Sequence, residues 1–129
     1  MPPYPKAYLE FFRLFNDKKF FEAHEVLEGQ WHRESRHNDF YKGLIQMAAA
    51  FVHIQKGNLR GARELFRTSE QYLSAYLPHH QGINLELFLN EVHIIDQKLG
   101  PVADGVLQKI DYPKMDLEKG LPDLQKEES

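Results

Sequence analysis

Five stretches of this 129-residue chain set apolar residues three and four apart, and none sets them in sustained alternation. That spacing puts one apolar stripe on each of five helices and leaves no sheet to pack them on. Pro5 suits a first helical turn, where its missing N–H would have no partner. Ala7, Tyr8, Phe11, Phe12 and Phe15 then follow at helical spacing, and Asn16-Asp17-Lys18-Lys19 interrupts them. A second helix is predicted from about Phe20 to Glu34, with a polar break after it. Asn38 or Asp39 can cap a third helix, Phe40 to Lys56, and Gly57 stops it because glycine accepts positive φ. Asn58 is placed to cap a fourth, Leu59 to about Leu77, ended by Pro78. His79-His80-Gln81-Gly82 reads as a loop. Asn84 can cap a fifth helix that shows Leu85, Phe88, Leu89, Val92, Ile95 and Leu99 on one face, before Gly100-Pro101.

The fold class expected is therefore all-α: a compact bundle of about five main helices built from antiparallel hairpins. A single domain over residues 1–110 is expected to include a short helix near Val102 to Lys109. Residues 111–129, rich in Pro, Gly and charge, are expected to form an extended, partly disordered tail. "KFFEAHEVLE" and "NLRGARELFR" echo one another, matching Ala23 to Ala62 and Glu25 to Glu64. Each opens the second helix of a predicted hairpin, but two copies fall short of the three or more stacked repeats a solenoid needs.

Composition narrows the function. A net charge of −3 lacks the basic excess of a general nucleic-acid binder. With no cysteine, disulfides, thiolate nucleophiles, iron–sulfur clusters and Cys-type zinc sites are excluded. "MPPYPKAYLEFF" lacks the basic and long apolar regions of a signal peptide, and the apolar run "MAAAFV" is too short to cross a bilayer. The expectation is a cytoplasmic protein with no membrane and no nucleic-acid partner.

The chemistry-bearing residues concentrate in "FFEAHEVLEGQW". At about 100° per residue, Phe20, His24, Glu28 and Trp31 fall on one side of the second helix, with Glu25 further round. On the third helix, Gly43, Gln46, Ala50 and His53 share a face, the small residues permitting close helix approach. If these faces pack antiparallel, His24, Glu28, Gln46 and His53 can meet. A buried carboxylate would then need donors such as Trp31 or Tyr41. His24 and Glu28, one turn apart, can also chelate one ion, with Glu25 or His53 completing a site for zinc, iron or manganese. "HEVLE" has Glu28 where the zinc-protease motif needs a second histidine, and the carboxylate pattern of ferritin-like bundles is absent. No cofactor or metal is therefore committed; His24, Glu28 and His53 are the candidate ligands. Arg60, Arg63 and Arg67 share one side of the fourth helix, where interspersed Glu64 and Glu70 suggest a solvated, salt-bridged face.

Taken together, Phe20, Glu22, His24, Glu25, Glu28 and Trp31, followed by Gly43-Leu44-Ile45-Gln46 and by Gly57, Asn58, Gly61 and Ala62, resemble a bacterial and archaeal family known as domain of unknown function 309. The resemblance covers roughly residues 7 to 99. It implies a small all-α bundle and no established activity, and it marks His24, Glu25, Glu28, Trp31, Gln46 and Asn58 as a recurring pattern.

Two readings of function stay open. One is a non-enzymatic helical scaffold or interaction domain, with a protein partner or a second copy of itself, in which every polar group between the second and third helices is paired within the protein. The other is a small-ligand or metal-binding site, hydrolytic in one version, centred on His24, Glu25, Glu28 and His53 with solvent-reachable, unpaired polar atoms.

Overall fold

The computed structural model describes residues 4–105 and 110–117. Five α-helices carry the fold: α1 Lys6–Asn16, α2 Phe20–Arg33, α3 Asp39–Gln55, α4 Leu59–Leu73 and α5 Leu85–Leu99. The three expected asparagine caps are all made. Asn38 Oδ1 accepts from Tyr41 N at 3.0 Å, Asn58 Oδ1 from Gly61 N at 2.9 Å, and Asn84 Oδ1 from Leu87 N at 2.9 Å. Each satisfies a first-turn N–H that the helix itself cannot. Gly57 adopts φ +85° at the end of α3, a conformation that costs glycine little.

Pro78 shapes the end of α4. The residue before a proline is driven out of the helical region, and Leu77 is extended at ψ 152°. The α-helix therefore closes at Leu73 and tightens into a short 3₁₀ turn, Ser74–Tyr76. The expected loop that follows is a minimal hairpin. Strands β1, His79–His80, and β2, Ile83–Asn84, pair antiparallel around Gln81 and Gly82. Both turn residues have positive φ, +45° and +81°, as a two-residue hairpin turn of matching twist requires.

α3 lies at the centre, packed on α2 and α4, and most of its length is buried. Its close approach is to α4, not to α2 as the Gly43 face suggested. A Cβ on Gly43 would sit 2.7 Å from the Leu73 side chain and 3.1 Å from Tyr72 Cβ. Ser69, fully buried on α4, donates its hydroxyl to the Gly43 carbonyl at 2.7 Å. The echo between the hairpins holds structurally: Ala23 on α2 and Ala62 on α4 are both fully buried, while Glu25 and Glu64 face solvent.

Phe51 on α3 joins the remaining layers. Its ring meets Phe15 at 5.7 Å, Phe20 at 5.2 Å and Phe66 at 5.4 Å, bringing α1, α2 and α4 together. The six apolar positions read from α5 are all buried. Ile110–Leu117 has no regular secondary structure, as expected of the tail, yet it docks on the bundle. Tyr112 lies 5.2 Å from Phe20, and Met115 is buried. The Asn16 side chain holds it through both backbone groups of Met115, donating to O at 2.7 Å and accepting from N at 2.8 Å. Residues 102–105 are not helical, and 106–109, the rest of the short helix expected there, lie outside the described residues, as do 118–129. Among the described residues no helix is long and apolar enough to cross a membrane.

His80 packs edge-on to Phe40 at 4.5 Å and beside Tyr76 at 4.6 Å. Burial lowers its pKa from the ordinary value of 6.5. The unfolded chain then binds the proton more readily, so His80 favours the fold above pH 6.5 and this contribution is lost as pH falls below it. Urea titrations across that range are expected to show stability falling on acidification, with a shallower fall in His80→Phe. Overpacking a closed core contact costs about 1–3 kcal/mol. Gly43→Ala is expected to lose stability in that range by chemical denaturation, through the Leu73 contact.

Candidate functional site

The α2–α3 hairpin brings together part of the constellation read from the sequence. Lys42 Nζ lies over the Trp31 ring at 4.4 Å from its centroid, and Phe20 stacks on Phe51 at 5.2 Å. These two contacts fix an antiparallel register that sets Gln46 opposite the middle of α2, between His24 and Trp31. His24 is half-buried and its ring stacks against Phe21, centroids 6.0 Å apart. Phe21 itself is 53% exposed.

Polar pairing is what this seam lacks. His24 Nδ1, Trp31 Nε1 and Gln46 Oε1 are each shielded from solvent and, among the described residues, have no hydrogen-bond partner. A buried polar atom left unpaired costs about 1–3 kcal/mol. Glu28 is half-buried, and among the described residues its carboxylate takes no bond from Trp31 or Tyr41. Burial and nearby Glu34 instead push the Tyr41 hydroxyl up to about 12. Glu22 and Glu25 face solvent, and among the described residues no cation is attached to them. So the fully paired network expected of a scaffold is not formed, and neither are the polar atoms open to solvent as a ready ligand site would have them.

His53 does not join this group. Asn58 Nδ2 donates to His53 Nδ1 at 3.2 Å while Asn58 Oδ1 caps α4, so His53 belongs to the α3–α4 corner. Among the described residues no three His, Asp or Glu side chains gather as a metal centre requires. His24 and Glu28 offer two donors at most.

The arginine side of α4 is exposed at Arg60 and Arg67 and salt-bridged at Arg63, as expected of it. Its contacts run to α5: Arg63 Nε pairs with Asp96 at 2.8 Å, and Glu70 and His93 Nε2 share a hydrogen bond at 2.8 Å. Arg60 and Arg67 line a cavity of about 560 Å³ with Asp104. The Asp104 carboxylate accepts from Leu59 N at 3.0 Å and Arg60 N at 3.2 Å, a second cap on α4 supplied from 45 residues away. Nothing in the sequence around Asp104 signals that role, because the partner N–H groups become neighbours only on folding.

Residues 8–65 match a family model, Domain of unknown function (DUF309). The resemblance read from the two motifs is borne out over α1, α2, α3 and the start of α4. One relative, the uncharacterized protein YpuF of Bacillus subtilis (strain 168), is 35% identical over 75 residues. That stretch covers 56% of this chain and 43% of YpuF, so the chain spans less than half of that relative. Both similarities leave function unassigned.

The geometry separates the DUF309 pattern into two parts. The stretch Gly57-Asn58 to Gly61-Ala62 has a complete packing account. Gly57 turns, Asn58 caps, Ala62 is fully buried, and a Cβ on Gly61 would lie 2.5 Å from the Asn58 amide. In the α2 part, Phe20 is packed, but among the described residues Glu22, Glu25, Glu28 and the unpaired edge of His24 have no internal partner that explains them.

Proposed function

We propose that this chain is a non-catalytic helical interaction domain whose α2–α3 seam receives a protein partner. The observation that carries this reading is the trio of shielded, unpaired atoms, His24 Nδ1, Trp31 Nε1 and Gln46 Oε1. Buried polar groups whose only task is architecture are normally paired within the protein. Here a small rotation of Gln46 or Trp31, both partly exposed, would present these atoms to an incoming segment. Exposed Phe21 supplies an apolar anchor beside them, and Glu22, Glu25 and Glu28 favour a partner carrying basic residues. Net charge argues against nucleic acid as that partner. A cytoplasmic setting accords with the cysteine-free composition.

A second reading is a divalent metal held by His24 and Glu28, favoured by their one-turn spacing and completed by ligands from outside the chain. Stoichiometric zinc, iron or manganese in untagged protein, lost in His24→Ala, would select it.

The interaction reading makes a stability prediction that needs no partner in hand. Gln46→Leu removes an unpaired buried acceptor and is expected to leave stability unchanged or raise it by about 1 kcal/mol. A structural network would respond with a loss of about 1–3 kcal/mol. Chemical denaturation of the two proteins side by side decides between them.

A further inference from the structure

The outer face of α5 is unusual for a surface helix. Leu87, Glu91, Ile94 and Lys98 recur at spacings of four, three and four, so they form one stripe along the helix. Leu87 is 56% exposed and Ile94 54%, and Val102, just past the helix end, is 42% exposed. An apolar groove of about 540 Å³ runs beside the stripe, floored by Ile95, Leu99, Ile110 and Tyr112. Glu91 and Lys98 stand on its rim, and among the described residues neither carboxylate nor ammonium has a partner. Two turns of helix, about 10 Å, keep them from pairing with each other.

We infer that this face binds a second copy of the chain, α5 against α5 and antiparallel. The pattern is self-complementary about a two-fold axis, the property an isologous interface requires. With the axis between Ile94 and Ile95, Glu91 of one copy faces Lys98 of the other, and the reverse pair forms on the opposite side. The same register sets Leu87 opposite Val102 and brings the two Ile94 side chains together over the grooves. One arrangement thus covers three exposed apolar residues and pairs both free charges. This surface is separate from the α2–α3 seam, and the inference does not depend on the partner reading given for that seam.

Analytical ultracentrifugation of the full chain from about 1 to 500 µM, the range in which a modest interface associates, tests it. The expected result is a reversible dimer. E91K sets lysine against lysine and should weaken that dimer roughly tenfold or more. The double variant E91K/K98E restores opposite charges in the same register and should restore association. Both substituted side chains, Glu91 and Lys98, are exposed, and circular dichroism checks that each variant folds. A chain that stays monomeric throughout overturns the inference, as does a dimer indifferent to E91K. Loss in E91K without recovery in E91K/K98E overturns the register, and with it the proposal.

Discussion

The contact between Gly43 on α3 and Leu73 on α4 sets the geometry on which the other layers rest. Without a side chain at Gly43 the two helices approach until Leu73 fills the gap, and Ser69 gains the Gly43 carbonyl as its acceptor. A buried hydroxyl with no acceptor would oppose the same approach, so the glycine and the serine work as a pair. With α3 and α4 fixed, Phe51 projects into the space where Phe15, Phe20 and Phe66 converge. α1 and α2 then close the bundle from the other side of α3.

The helices were legible because their signals are local. Asparagine before an apolar run, glycine after one and proline beyond are read within a single turn of chain, and Asn38, Asn58, Asn84 and Gly57 all act as their positions suggest. Long-range partners were not legible. Asn16 looked like a helix break and is also the clamp on Met115, 99 residues away. Asp104 looked like part of a short helix and instead caps α4. Gly43 signalled close packing correctly, but one glycine cannot say which neighbour arrives.

The candidate site divides along the same line. Helical phase alone placed His24, Glu28 and Trp31 together on α2, and the hairpin register brings Gln46 opposite them. His53 shares a face with Gln46, yet its position at the end of α3 delivers it to Asn58 instead. Phase gives the side of a helix and not the distance along it, and that distance decided the matter. The absence of pairing at His24, Trp31 and Gln46 lay beyond sequence reading altogether, since it depends on the positions of individual atoms.

A seam kept unpaired at some cost in stability is the central claim, and Trp31 offers the most direct look at it. As the only tryptophan in the chain, it gives one unambiguous indole N–H signal in a nitrogen-15 NMR spectrum. The account predicts a signal protected from solvent exchange, as burial requires, at a proton shift typical of an indole with no hydrogen bond. A signal shifted downfield by a strong bond to an internal acceptor would contradict it and make the seam an ordinary structural network.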